Sequence, residues 1–201
     1  IVNKTALLQS LKQKGIPQEI IEAFSKVNRE SFVPDNFKEY AYEDVAIPLE
    51  DGSSLSQPYT SAFMLSLLEP KQNQKILEIG SGSGFVLALL SEIIKNGKVY
   101  GLEINKGLSI KSRKLFEKDS NIEIINSSGF LGLSQFAPYD SILFSASCND
   151  MRIPYNILDQ LSSNGIMVVP IRSSIFQIKK NDGKVSQKEF PGFAFVPLKE
   201  E

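Results

Sequence analysis

The spacing of hydrophobic residues divides the chain into a helical beginning, an irregular stretch and a regular second part. Leucines at helical intervals over 5–14 predict a first helix, and Pro17 begins a second helix with its apolar residues on one side. The stretch 29–59 contains three prolines and little periodicity, so we expect loops with short elements there. Pro58 then suits the first turn of a helix that runs to about Leu68.

From Lys75 onward, short apolar strands alternate with helical patterns. The expected strands cover 75–80, 99–104, 122–126, 140–146 and 165–171, and the expected helices cover about 85–95, 108–118 and 156–161. This alternation is typical of a parallel sheet with helices on both faces, whose ligands lie at the carboxyl ends of the strands. The segment 175–190 instead predicts an antiparallel hairpin around the turn Asn181-Asp182-Gly183. The sequence therefore predicts an α/β fold with a mostly parallel sheet, an antiparallel C-terminal edge hairpin and an N-terminal helical extension.

The length of 201 residues is sufficient for a substantial core, and no composition break suggests two large domains. We expect a single domain over 1–201, with an N-terminal helical and loop extension over 1–57 and an α/β core over 58–201. The formal net charge of −1 gives no global reason to expect nucleic acid or an anionic membrane as partner. Polar residues interrupt every apolar stretch near the N-terminus, so we expect a cytoplasmic protein, and we expect a monomer.

Residues that carry chemistry are few. The chain contains no histidine, which removes the usual general base and the commonest metal ligand and excludes a Ser-His-Asp mechanism. The single cysteine, Cys148, can form no internal disulfide and is no basis for a zinc site, so we expect no metal. Any catalysis must use a substrate that is already nucleophilic, or a carboxylate, lysine or thiol base.

A glycine loop follows the first predicted strand of the core, in the segment ILEIGSGSGF. Its glycines, Gly80, Gly82 and Gly84, fail the dinucleotide fingerprint G-x-G-x-x-G, which requires a third glycine where this chain has none. The next predicted strand reaches Glu103, 23 positions after Gly80, near the spacing at which an acid accepts hydrogen bonds from a ribose. The pattern favours an adenosine-bearing ligand; the alternative is a tight turn followed by a solvated acid.

A G-x-G-x-G loop with such an acid resembles the Rossmann-like methyltransferase fold, which holds S-adenosylmethionine. The segments RESFVP, AYEDVAIP and DGSSLSQPY, followed by ILEIGSGSGF, VYGLEI, FAPYDSILFSA and GIMVVPI, resemble the protein-L-isoaspartate O-methyltransferase family. The similarity extends from about Arg29 to Leu198. It implies methylation of the α-carboxylate of L-isoaspartyl residues in damaged proteins or peptides, with S-adenosylmethionine as cofactor.

The resemblance also implies roles for individual residues. Ser56, the serine of the SQP segment, would lie beside the sulfonium and the substrate carboxylate as the catalytic residue; alternatively, or in addition, it is a helix N-cap ahead of Pro58. The residues expected to bind the cofactor are Glu78, Gly80, Ser81, Gly82, Ser83, Gly84, Glu103, Ser128 and Gly129. The family chemistry also accounts for the missing histidine, because the substrate carboxylate titrates near pH 3 to 4 and needs no base.

The chain departs from the family pattern at three places. Ser128 precedes Gly129 where the family has an aspartate near the adenine amino group, SASCND follows the fourth strand of the core, and IRSSIFQ replaces a glycine-rich loop. These changes leave two alternatives: a methyltransferase-fold protein that binds peptide with little or no methyl transfer, or a methyltransferase for another substrate. For Cys148 we prefer a structural thiol to a nucleophile, since the Pro-Cys context of cysteine methyltransferases is missing.

Overall fold

The computed structural model describes residues 2–200 and contains an α/β core with a helical N-terminal part. The helices are α1 (Lys4–Gln13), α2 (Gln18–Lys26), α3 (Pro58–Leu68), α4 (Phe85–Ile94), α5 (Lys106–Leu115) and α6 (Arg152–Ile157). The strands are β1 (Ile47–Pro48), β2 (Ser54–Leu55), β3 (Lys75–Ile79), β4 (Lys98–Glu103), β5 (Ile122–Asn126), β6 (Tyr139–Phe144), β7 (Leu161–Ile171), β8 (Ser174–Asn181) and β9 (Lys184–Pro191). Short 3₁₀ helices cover Arg29–Phe32, Asp35–Tyr40, Glu50–Gly52, Ser134–Phe136 and Leu158–Gln160.

Seven strands form the main sheet in the order β5-β4-β3-β6-β7-β8-β9. The pairs from β5 to β7 are parallel, and β7, β8 and β9 pair antiparallel. The chain order reverses between β3 and β6, and in open α/β sheets the ligand crevice lies at the carboxyl ends of the strands at such a reversal. The predicted fold is confirmed, and the topology locates the crevice at the ends of β3 and β6.

The core lies on both faces of the sheet because consecutive residues of a strand point to opposite sides. On β3, Ile76 belongs to the apolar cluster shared with the N-terminal helices, and Leu77 belongs to the cluster on the other face. Phe24 of α2 packs edge-on against Phe85 of α4, with ring centroids 5.6 Å apart. The N-terminal helices are therefore part of the same apolar core as the first face of the sheet.

The predicted C-terminal hairpin is present and has a two-residue turn. Asn181 pairs with Lys184, and Asp182 and Gly183 both have positive φ, at 46° and 81°. Two left-handed residues in a two-residue loop are characteristic of the type I′ turn, whose twist matches that of a hairpin.

The helix expected over 156–161 is wrong in its position. The structure has α6 at Arg152–Ile157, a 3₁₀ turn follows, and Leu161 already begins β7. Leu161 is buried and pairs with Tyr139 of β6, so its apolar side chain contributes to the sheet rather than to a helix face. Within residues 2–200, no helix combines the length and the apolar character needed to cross a membrane.

Candidate active site

The glycine loop connects β3 to α4 at the carboxyl edge of the sheet. The backbone amides of Gly80 and Ser81 donate to the Leu102 carbonyl at 2.8 and 3.0 Å, which fastens the loop to the neighbouring strand β4. Gly84 has φ 88°, and a Cβ there would lie 2.6 Å from the Phe116 ring. Glycine is thus required by both conformation and packing at the start of α4.

Glu103 ends β4 and is 5% exposed. Its Oε2 accepts from the Gly82 amide at 2.6 Å, and its Oε1 accepts from the Asn105 amide at 2.8 Å. Each carboxylate oxygen has further acceptor capacity, so the group can still receive hydrogen bonds from a ligand. The alternative of a solvated acid at a strand end is wrong, because the side chain is buried and holds the glycine loop.

Glu78 of β3 is 1% exposed and forms a pair with a serine from another strand end. Its Oε1 accepts from the Ser145 hydroxyl at 2.6 Å, whereas its Oε2 has no hydrogen-bond partner in the described residues. Burial raises the pKa of Glu78 to about 8; the Ser145 hydrogen bond opposes the rise, and the Glu103 charge adds to it. The side chain is therefore mainly neutral at pH 7.

Ser56 follows β2 and lines a cavity of about 210 Å³. The cavity is also lined by Ser54, Gln57, Thr60 and Ser145, and by the C-terminal segment 194–196. That segment is held by the Ser147 amide, which donates to the Val196 carbonyl at 2.8 Å. The structure thereby brings the SQP serine and Ser145, the hydrogen-bond partner of Glu78, to the same cavity.

The N-cap interpretation of Ser56 is wrong. The residue before α3 is Gln57, whose side chain makes no capping bond. The Tyr59 amide in the first turn instead donates to Asp44 Oδ1 at 2.8 Å. An aspartate fifteen residues away in sequence thus satisfies one of the unpaired N–H groups of the helix start. The Ser56 hydroxyl is free of that task.

Ser128 and Gly129 follow β5 on the other side of the glycine loop. Ser128 is partly buried, and its hydroxyl accepts only a long hydrogen bond from the Phe130 amide, at 3.4 Å. A Cβ on Gly129 would lie 2.2 Å from Ile79 Cγ2, so this loop lies directly against the end of β3.

The two serines of the glycine loop differ in their surroundings. Ser81 is 5% exposed, and its hydroxyl has no hydrogen-bond partner among residues 2–200. The Ser83 hydroxyl also has no partner within that range, but Ser83 lines a separate cavity of about 360 Å³ between the segment 31–37 and α5. Of the residues predicted to bind the cofactor, Ser83 alone lines either of these two cavities, and it does not line the one that contains Ser56.

Two further side chains bear on the chemistry. Burial raises the pKa of the Cys148 thiol to about 12, which keeps it protonated and fits a structural role. Ser145 was missed by the sequence reasoning; it lies in the SASCND segment, just beyond the end of β6, where the sheet order reverses. Among residues 2–200, no group of three or more acidic or cysteine side chains is arranged to hold a metal ion.

Comparison with known proteins gives a consistent result. The family model described as protein-L-isoaspartate(D-aspartate) O-methyltransferase matches residues 2–201. A protein-L-isoaspartate O-methyltransferase of Thermosipho melanesiensis is 36% identical over 199 residues, covering 96% of this chain and 100% of the relative. The Dictyoglomus turgidum enzyme of the same name is 38% identical over 205 residues, covering 98% and 91%. A solved structure titled protein-L-isoaspartate O-methyltransferase superposes with a TM-score of 0.88 at 25% identity, covering 97% of this chain and 65% of that one.

Proposed function

The chain belongs to the protein-L-isoaspartate O-methyltransferase family, and from this premise we propose that it methylates the α-carboxylate of L-isoaspartyl residues in damaged proteins and peptides. The observation that carries the proposal is the full-length match to that family. The cavity lined by Ser56 and Ser145 supports it, because Ser145 follows the carboxyl end of β6 and donates to Glu78 of β3, where the order of the sheet reverses.

Groups at the carboxyl ends of β3 and β4 are suited to S-adenosylmethionine. Glu103 has acceptor capacity left for ribose hydroxyls. Glu78 Oε2 has no hydrogen-bond partner in the described residues, and the ammonium of an aminoacyl tail beside it would lower the pKa of Glu78, so that the side chain binds as a carboxylate. Gly80, Ser81 and Gly82 would border that tail, while Ser128 and Gly129 would lie beside the adenine. The bound cofactor would supply an electrophilic methyl group on a sulfonium.

Catalysis in this chain reduces to binding and orientation. The substrate carboxylate is an anion at neutral pH, so no residue needs to remove a proton, and the absence of histidine is no obstacle. The Ser56 hydroxyl would donate to one carboxylate oxygen and leave the other aligned for attack. Correct alignment of reacting groups can supply about 7 to 11 kcal/mol of the barrier. The walls of the cavity around Ser56 would exclude water from the reacting groups.

The methyl ester then reacts without further help from the protein. The neighbouring backbone nitrogen attacks the ester carbonyl, methanol leaves, and a succinimide forms. Its hydrolysis gives aspartyl and isoaspartyl products, so repeated cycles convert isoaspartyl residues to normal ones.

The sequence expectations on organisation are retained as proposals. We propose that 1–201 act as one domain, because the N-terminal helices share an apolar cluster with α4 and the sheet. We also propose a cytoplasmic monomer without nucleic-acid or membrane partners.

A second candidate function is favoured by Ser128. Because the family's aspartate is absent at this position, the chain would then bind isoaspartyl peptides with little methyl transfer. Titration calorimetry with S-adenosylhomocysteine, followed by an isoaspartyl peptide, separates the candidates when combined with a methylation assay. Binding of cofactor and peptide together with methyl transfer supports the enzyme. Binding of the peptide without methyl transfer supports the second candidate. Binding of the cofactor without the peptide contradicts both candidate functions.

A further inference from the structure

Arg29 is a buried cation next to the SQP serine. It is 1% exposed, and its Nη2 donates to the Ser56 carbonyl oxygen at 2.8 Å. Its guanidinium carbon lies 4.7 Å from the ring centroid of Phe85, the first residue of α4 after the glycine loop. Arg29 therefore contacts both the segment that carries Ser56 and the helix that follows the glycine loop.

The charge of Arg29 is poorly compensated within the protein. Nε and Nη1 have no hydrogen-bond partner in the described residues. Asp44 is near enough to favour the charged form, but its two oxygens already accept from the Tyr59 amide and from Lys14 Nζ. Burial lowers the pKa of Arg29 to about 9, with Asp44 and Tyr42 opposing the fall, so the side chain is still a cation at pH 7. A buried charge without a full set of partners is costly to maintain, which favours a functional reason for it.

The carboxylate of the substrate would supply the negative charge that Arg29 lacks within the protein. The carbonyl that accepts the hydrogen bond from Arg29 belongs to the same residue as the Ser56 hydroxyl, and Ser56 lines the 210 Å³ cavity. We propose that Arg29 is a positioning residue whose positive potential, acting through the Ser56 carbonyl, makes the cavity selective for a carboxylate. This inference rests on the proposed function, because it names the group that attracts the substrate to that site.

The indirect placement has a chemical advantage. A cation in contact with the carboxylate would occupy the lone pairs that must attack the methyl group and would lower their nucleophilicity. A cation that lies behind the Ser56 peptide group attracts the carboxylate while leaving its oxygens free. Electrostatic attraction in a site of low dielectric acts beyond hydrogen-bond distance. Loss of the charge should therefore weaken peptide binding much more than it slows the bound reaction.

The test compares an isoaspartyl peptide with its carboxamide analogue, which has nearly the same shape but no charge. Calorimetry in the presence of S-adenosylhomocysteine gives the preference of each variant for the carboxylate. Arg29→Met should reduce that preference by about ten-fold and Arg29→Lys should keep most of it, because only the first removes the charge. In methylation assays Arg29→Met should raise KM for the peptide by a similar factor and leave kcat within about three-fold.

Arg113→Met provides a control, at an exposed position, for the general effect of losing one arginine charge. Arg113 also donates to a backbone carbonyl, that of Ile124 at 2.9 Å, but it lies on α5 beside the edge strand β5. This variant loses the same charge and one similar hydrogen bond, and it should retain the wild-type preference.

A folded Arg29→Met protein that binds S-adenosylhomocysteine normally and keeps the wild-type preference would overturn the inference. If Arg29→Met does not fold, Arg29→Lys is compared with Arg29→Gln: equal preferences would overturn the inference, and a preference kept only by the lysine variant would support it. A wild-type protein that does not prefer the carboxylate would contradict the proposed function itself, so the two failures are distinguishable.

Discussion

Replacement of Glu103 by glutamine should affect both the fold and cofactor binding. The carboxylate accepts two backbone N–H bonds, from Gly82 at 2.6 Å and from Asn105 at 2.8 Å. A glutamine oxygen can keep one of these bonds, but its NH₂ group would face the other N–H, donor against donor. A hydrogen bond to a charged group contributes about 1.5 to 3 kcal/mol, so we expect Glu103→Gln to lower the free energy of unfolding by about 2 to 3 kcal/mol.

The same substitution should weaken the binding of S-adenosylhomocysteine by about ten-fold or more, because the ribose would lose a charged acceptor and the glycine loop would lose its brace. Urea unfolding gives the stability change and titration calorimetry gives the affinity change. Glu123→Gln on β5 is a suitable control, since Glu123 only pairs with Lys98 at 3.5 Å with its side chain 45% exposed. An exposed pair of this kind contributes less than about 1 kcal/mol.

Two results would refute this reasoning. Unfolding of Glu103→Gln at the wild-type urea concentration would mean that the two amide bonds do not hold the loop. Reduced stability with unchanged affinity would mean that Glu103 braces the loop without binding a ribose.

Three other substitutions test the remaining parts of the site. Ser56→Ala should lower methyl transfer by about ten-fold or more and leave cofactor affinity within about two-fold. It should change the free energy of unfolding by less than about 0.5 kcal/mol, because Asp44 makes the bond to the start of α3. A large loss of stability with intact activity would contradict this. Ser128→Asp should tighten S-adenosylhomocysteine binding by about five-fold, the net of a charge-assisted bond to the adenine amino group and the desolvation of the new charge. Equal affinity in a variant with an unchanged melting temperature would argue against an adenine at this loop. Glu78 has a pKa of about 8 in the folded protein, above the ordinary 4.5, so between these two values the folded state holds a proton that the unfolded state releases. The free energy of unfolding should therefore fall as pH rises through this range, by up to about 1.4 kcal/mol per pH unit. Glu78→Gln should remove this slope, and unfolding of both proteins in urea between about pH 5 and pH 8 checks it: parallel curves would show that Glu78 is ionised in the folded protein.

Local sequence signals predicted many of the elements. Pro58 and the apolar run behind it gave the bounds of α3, and the β-branched run at 122–126 gave β5, because both signals lie within the element itself. The hairpin turn was also readable, since Asp-Gly suits two consecutive left-handed residues. The position of α6 was not, because Leu161 pairs in a sheet whose partner strand is more than twenty residues earlier.

The candidate site was predicted in part. The loop glycines and Glu103 follow strands in sequence, so their place at the carboxyl edge follows from the fold class. The roles of Ser145, Asp44 and Arg29 depend on contacts between segments far apart in the chain, and no local pattern marks them. The N-cap interpretation of Ser56 failed for the same reason, since a distant aspartate takes that place.

Methyl transfer to a defined peptide tests the central claim most directly. The purified protein is incubated with methyl-labelled S-adenosylmethionine and either an isoaspartyl peptide or the peptide of the same sequence with normal aspartate. We predict label in the isoaspartyl peptide alone, as a base-labile ester that releases methanol and leaves a succinimide. Two results would contradict the account. One is the absence of label in either peptide from a protein that binds S-adenosylhomocysteine, and the other is equal label in both peptides.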